Sequence, residues 1–223
     1  MTRTLYDLAA ADGTRFSPYC WRVKLALAHK RLDYETVPWH FTEKAAIAAS
    51  GQSKVPVLVD GARIVSDSQT IAAYLEQTYP NSPALFGDAQ TQALTLFIKD
   101  WTETILHPAI AATVLGDIYR CLCPEDQPYF RETREAAFNR SIEDIDANRQ
   151  QAEAHLYAML KPLQKRLSAQ TFIAGDSPSW ADHLVFGALQ WGKLVSATPL
   201  LAQDDSISIW MDKVLSTYNL QTV

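Results

Sequence analysis

Lys54-Val55-Pro56-Val57-Leu58-Val59-Asp60-Gly61-Ala62-Arg63-Ile64-Val65-Ser66-Asp67-Ser68 is the stretch that decides how the first part of the chain folds. Val57–Val59 and Arg63–Val65 are short apolar strands, and Asp60-Gly61 between them is a strong hairpin-turn signal. Pro56 stands where a strand begins, a place that tolerates a missing N–H. The same proline can instead form a cis turn that leaves the backbone N–H and C=O of Val55 open to a peptide ligand. Asp67-Ser68-Gln69 then opens a helix over Ser68 to Thr78, with Ile71, Ala72 and Leu75 on its apolar face. An Asp at that junction caps the helix. It also offers an acceptor for an ammonium group beside an anion site at the helix start.

Upstream of this stretch, Thr42 to Ala49 reads as a short helix with Thr42 as its cap and Ser50-Gly51 as its end. Asp33 to Pro38 and Thr4 to Leu8 read as strands. Between them Ser17 to Lys30 reads as a helix, with Ser17 at the N-cap and Pro18 at the first helical position. Its two apolar stripes, Trp21, Leu25, Ala28 and Cys20, Val23, Leu27, predict burial on more than one side. The order is β-α-β-α-β-β-α. Residues 79–88 hold two prolines and a glycine and read as a linker. Everything beyond is helical in pattern: Ala89 to about Tyr119, bent near Pro108; about 127 to 168, rich in charge; Ala181 to about Val195, strongly apolar; and Ser206 to Tyr218. Ser179-Trp180-Ala181-Asp182 is a capping box with Asp in place of Glu.

Composition limits the function classes. The 223 residues are 48% hydrophobic and 20% charged, which suits a globular chain and not a disordered one. Net charge is −5, and the surplus of acid lies beyond residue 80, which argues against nucleic acid as the main partner. No apolar run approaches a membrane span and Met1 to Asp7 has no signal-peptide core, so the expected location is cytoplasmic, away from membranes. Cys20, Cys121 and Cys123 make no disulfide framework, and Cys121-Leu122-Cys123 lacks the further ligands of a structural zinc site, so no metal is expected.

Ser17-Pro18-Tyr19-Cys20-Trp21-Arg22 after a strand places a hydroxyl at a helix N-terminus, in positive potential, where an anion such as a thiolate is stabilised. Taken alone it is a weak signal, because Ser before Pro at a helix start is a common cap. Together with Val55-Pro56-Val57-Leu58-Val59-Asp60-Gly61, Ser66-Asp67-Ser68 and Ile71-Ala72-Ala73-Tyr74-Leu75, it resembles the glutathione transferase superfamily over essentially the whole chain. Within it the chain is most similar to the serine-type bacterial β-etherase-like group and its fungal relatives.

The resemblance implies a thioredoxin-like α/β domain over residues 1–80 that holds glutathione. It also implies an all-helical domain over 89–223 that contributes the acceptor pocket. Ser17 matches the catalytic position, Val55 the residue whose main chain pairs with glutathione, Pro56 the cis-proline, and Asp67 and Ser68 the γ-glutamyl binders. His40, Gln52 and Lys54 are candidates for the glycine carboxylate. Tyr19, Trp39, Trp101, Ile105, His107, Tyr119 and Trp191 are candidates for an aromatic acceptor pocket.

Tyr6 rivals Ser17 as the catalytic group but fits the local pattern less well, and Cys20 is expected to be buried one turn into its helix. His183 departs from the family, which places an apolar residue there. The implied activity is thiolate attack on a hydrophobic, aromatic electrophile, with β-aryl ether cleavage among the reactions, by a homodimer. A non-catalytic binder of glutathione or aromatic ligands is the alternative. Ser17 in place of cysteine argues against disulfide exchange.

Overall fold

The computed structural model describes residues 3–221. Met1 and Thr2, part of the stretch read above as lacking a leader, lie outside that range. Strand β1 (Arg3–Leu8) is flanked by β2 (Tyr34–Trp39), parallel to it, and by β3 (Val57–Asp60), antiparallel. Strand β4 (Arg63–Ser66) pairs with β3, so the sheet order is β2-β1-β3-β4. The parallel pair requires a crossover, and helix α1 (Pro18–His29) lies within it. In the β3–β4 hairpin Asp60 faces Arg63, so the turn residues are Gly61-Ala62, one position later than the sequence signal suggests. Gly61 alone takes a positive φ there, 60°, the pattern of a II′ turn. Helix α2 (Ser68–Thr78) has the predicted bounds.

The predicted helix at Thr42–Ala49 is corrected: Lys44–Ser50 is a 3-10 helix with Glu43 at its N-cap. Thr42 does not cap it. Its N–H and its hydroxyl both donate to Asp126 at 2.9 Å, tying this loop to the helical part of the chain. Only Ile47 of the segment is buried, too small an apolar face to hold an α-helix.

Helix α1 is buried from Cys20 to Leu27, as its two stripes predict, and the burial extends to Arg22 and Lys24. Lys24 Nζ lies 2.6 Å from Asp7 Oδ2 and 4.2 Å over the Trp21 ring, which answers the charge of a fully buried carboxylate.

The long helix expected over Ala89 to Tyr119 is two helices, α3 (Ala89–Trp101) and α4 (His107–Cys121), joined by a π turn at Thr102–Leu106. There the His107 N–H reaches back five residues to Thr102 O. Pro108 lacks an N–H and crowds the carbonyl four residues before it, and the widened turn relieves both defects. Helices α5 (Gln127–Phe138), α6 (Ile142–Ala147) and α7 (Arg149–Leu167) follow.

Helix α8 (Trp180–Val195) is the buried central helix, packed on α1 and α4, and α9 (Ser206–Tyr218) closes the chain. The capping box is present in full: Asp182 Oδ2 accepts the Ser179 N–H at 2.9 Å, while Oδ1 accepts from Ile173 N–H and Trp210 Nε1. Among the described residues no helix is long and apolar enough to cross a membrane.

The two halves share their core: in one cluster Leu8, Phe16 and Trp21 join Ile110 and Phe186, and in a second Leu5, Val23, Leu27 and Ile71 pack with Trp180 and Leu184. His183, where the family places an apolar residue, makes a polar tie there. Ala84 O accepts from His29 Nε2–H at 2.8 Å, so His29 Nδ1 carries no proton and accepts from Tyr218 O–H at 2.8 Å. Tyr218 Oη is then left to accept from His183 Nε2–H, also at 2.8 Å. The chain of bonds links α8, α9, α1 and the linker. Burial holds both imidazoles below their ordinary range, His183 furthest.

Candidate functional site

Ser17 caps α1: its Oγ accepts the Cys20 N–H at 3.2 Å, which leaves the hydroxyl hydrogen to donate elsewhere. The helix behind it adds its N-terminal field. Cys20 is fully buried, as expected, and burial, reinforced by Asp7, pushes its thiol well above the ordinary range. It is no nucleophile in this state. Gly187 of α8 lies against the first turn of α1. A Cβ there would stand 2.3 Å from Pro18 O, so only glycine lets α8 support Ser17 so closely.

Ser17 opens onto a cavity of about 420 Å³ between the sheet domain and the helices. Of the sequence candidates, Ser17, Tyr19, Trp39, Lys54, Val55, His107 and Trp191 meet there. Phe41, Lys44, Tyr129, Phe130 and Arg134, not foreseen from the sequence, complete much of its wall. Trp101, Ile105 and Tyr119 do not line it. Ile105 and Trp101 stand two and six residues before His107, not at the three-, four- or seven-residue spacing that shares a helix face. The Tyr119 ring lies beneath Arg131 instead, 4.6 Å from its guanidinium carbon. Tyr6 is also absent from the lining, whereas its main-chain oxygen takes the Cys20 thiol at 3.7 Å.

The Val55-Pro56 peptide bond is cis. Among the described residues neither the N–H nor the C=O of Val55 has a hydrogen-bond partner. Asp67 caps α2 through Thr70 N–H at 2.9 Å and does so at φ 72°, in the left-handed region that disfavours residues other than glycine. Ser68 follows it, nearly buried. Asp67 and Ser68 lie outside the cavity lining, as do Pro56, Gln52 and His40. His40 turns Nδ1 toward Cys123 Sγ at 3.5 Å and Asp126 at 3.8 Å, while Gln52 is exposed.

A buried polar network backs the cavity. Arg22, fully buried on α1, donates to Glu103 at 2.6 Å and faces His107 Nε2 at 3.2 Å, and its guanidinium lies 4.5 Å from the Tyr19 ring centre. Because arginine can only donate, His107 Nε2 accepts and its proton sits on Nδ1. Burial, then Arg22, push His107 down to about 3, so it is a neutral wall and not a general base near neutral pH. Burial acts to raise the Glu103 carboxyl, but Lys99 and Arg22 together hold it below its ordinary value. Glu103 belongs to the π turn, which aims it at Arg22. Nothing in the sequence reading pointed to this network.

Comparison with known proteins agrees with this architecture. Residues 13–83 match the family model of the glutathione S-transferase N-terminal domain, and residues 93–216 that of the C-terminal domain. A zeta-class glutathione S-transferase of Euphorbia esula is 33% identical over 113 residues, 48% of this chain and 50% of the relative. The chain thus spans about half the length of that curated relative. The glutathione transferase GSTFuA3 of Phanerochaete chrysosporium superposes with a TM-score of 0.88, covering 100% and 99% of the two chains at 23% identity. A glutathione S-transferase of Ceriporiopsis subvermispora, solved in complex with glutathione, gives 0.79 at 25% identity, covering 98% and 97%. The chain belongs to the glutathione S-transferase family, with a thioredoxin-like α/β domain followed by a helical one.

Proposed function

We propose that the chain is a glutathione transferase in which Ser17 stabilises the glutathione thiolate for attack on an aromatic electrophile held in the cavity. The observation that carries this reading is the position of Ser17. It caps α1, has its hydroxyl hydrogen uncommitted, and faces an aromatic cavity that also presents the unpaired backbone of Val55. An N–H and C=O pair in that state suits the backbone of an extended peptide. Asp67 and Ser68, at the start of α2, are suited to the γ-glutamyl amine and carboxylate. Lys54 is the best placed candidate for the glycine carboxylate, since it lines the cavity next to Val55. His40, turned toward Asp126, and exposed Gln52 are weaker ones.

A free thiol of pKa about 8.5 is only a few per cent ionised at neutral pH. Lowering it by about two units takes about 2.7 kcal/mol of preference for the thiolate, within reach of one hydroxyl donor and a helix terminus. The sulfur then forms a bond to carbon as halide or, for a β-aryl ether, phenoxide leaves. The resemblance to the β-etherase-like group supports the ether version, and the aromatic wall suits either. We further propose a homodimer. Leu94 and Phe97, one turn apart on α3, expose 68% and 67% of their surface, which suits burial against a second copy.

Calorimetry with glutathione tests binding, and product analysis after incubation with β-aryl ethers and haloarenes tests the chemistry. The expected result is binding in the micromolar to millimolar range with glutathione adducts formed. Absence of binding would reject the reading, and binding without turnover of any electrophile would leave a ligand carrier.

A further inference from the structure

Helix α5 contributes two arginines one turn apart, and they differ in what surrounds them. Arg131 donates to Glu135 and to both oxygens of Glu143. Arg134 pairs with no carboxylate among the described residues, and its one hydrogen bond goes to the neighbouring Thr133 hydroxyl at 3.2 Å. It lines the cavity, with its guanidinium carbon 5.0 Å from the Phe130 ring centre and 5.9 Å from that of Phe41. Burial works against its charge. Two further cations, Lys44 and Lys54, line the same cavity, and no Asp or Glu does, although the chain as a whole is acidic. A cation partly withdrawn from water, walled by aromatic rings and lacking a counter-ion, is complementary to an aromatic anion.

We propose that Arg134 anchors an anionic group on the acceptor, so that the preferred electrophiles are aromatic carboxylates or other aromatic anions. This rests on reading the cavity as the acceptor pocket of a glutathione transferase. Lys54 adjoins Val55, where the tripeptide is expected, whereas Arg134 stands on a different element and is available to the second substrate. With a chloronitrobenzoate, the sulfur–carbon bond forms as the carbon–chlorine bond breaks. The thiol proton passes to solvent, chloride leaves, and the carboxylate stays unchanged beside Arg134.

Binding and turnover are tested separately, on the full chain with saturating glutathione. Naphthoate and its neutral counterpart naphthamide are titrated by tryptophan fluorescence, for which Trp39 and Trp191 in the cavity wall are the reporters. The wild type should bind naphthoate about 10- to 100-fold more tightly. Arg134→Met should abolish that preference, weakening naphthoate binding far more than naphthamide binding, and Arg134→Lys, which keeps the charge, should retain part of it. The same ratio should appear in KM for chloronitrobenzoate against chloronitrobenzamide. Equal binding by the wild type, a preference that survives Arg134→Met, or an Arg134→Lys variant with none would overturn the proposal. So would competition between glutathione and naphthoate, because Arg134 would then serve the tripeptide. Naphthoate preference without conjugation of either arene would support the anion site and reject the transferase reading.

Discussion

Replacing Gly187 by alanine puts one methyl group between the central helix and the turn that carries Ser17. The new Cβ would lie 2.3 Å from Pro18 O and 3.1 Å from Arg22 Cγ. Carbon and carbonyl oxygen approach to about 3.3 Å, so α1 and α8 must separate by about 1 Å at this point. Pro18 O is backbone and cannot rotate away, so the movement falls on Ser17 itself. Overpacking of this kind costs about 1–3 kcal/mol, or about 2–12 °C in Tm for a chain of this length. A displacement of about 1 Å at a reacting group can reduce turnover by about 100-fold. Gly192→Ala is the matched control. Its Cβ would meet Leu200 Cδ1 at 2.8 Å and Ile110 Cγ2 at 3.0 Å, side-chain methyl groups on elements other than α1. Thermal unfolding and steady-state conjugation should therefore separate the two variants. Gly192→Ala should lose some stability and keep most turnover, and Gly187→Ala should lose both. Full turnover in Gly187→Ala, or equal loss of turnover in the two, would refute the reasoning.

The His29–Tyr218–His183 seam makes stability depend on acid. Both imidazoles are held below their ordinary range, so below about pH 6.5 the unfolded chain takes up protons that the native chain does not. Their contribution is complete above that pH and is lost as pH falls, at up to about 1.4 kcal/mol per pH unit for each group. Urea unfolding of His183→Leu should show a shallower acid slope, and an unchanged slope would count against the seam. Ser17→Cys creates a Cys-X-X-Cys pair, but Cys20 is buried and hard to ionise. Exchange with glutathione disulfide should therefore leave a mixed disulfide at position 17 and release one glutathione thiolate; the adduct should accumulate and be visible by mass spectrometry, with resolution by Cys20 slow. No adduct would mean that position 17 does not face the tripeptide. Leu94→Glu combined with Phe97→Glu should halve the mass seen by light scattering, whereas a wild type already near 25 kDa would contradict the homodimer.

Local chemistry is what the sequence made legible. Ser17-Pro18, Asp67-Ser68 and Ser179 to Asp182 each mark a helix start by a side chain bonding to nearby backbone, and all three caps are present. Such bonds span three residues and need no knowledge of the fold. The 3-10 segment at Lys44–Ser50 reads in the sequence as a helix with Thr42 as its cap and Ser50-Gly51 as its end. Asp126, more than eighty residues away, instead takes Thr42 and fixes the loop just before the segment. The π turn likewise follows from Pro108 together with Arg22, which receives Glu103 from it.

Site residues divided in the same way. Ser17, Lys54 and Val55 lie beside the motifs that flagged them, whereas Arg134 and Phe41 reach the cavity only through tertiary packing. Gly187 carries no signal in a single sequence, since a glycine inside an apolar helix reveals nothing of what crosses it. Arg22 and Lys24 lie outside the two apolar stripes of α1, yet both are buried because Glu103 and Asp7 answer their charges.

The central claim is that the Ser17 hydroxyl stabilises the bound thiolate, and titration of enzyme-bound glutathione tests it most directly. The ultraviolet absorbance of the thiolate is followed against pH for the wild type, Ser17→Ala and Ser17→Thr. Ser17→Ala also removes the cap on Cys20 N–H, at about 1 kcal/mol of stability, so Ser17→Thr, which keeps a hydroxyl, controls for that loss. The account predicts a thiol pKa near 6.5 in the wild type, close to that in Ser17→Thr, and a return toward about 8.5 in Ser17→Ala. The same low pKa in all three proteins would contradict it and leave Ser17 as a helix cap alone.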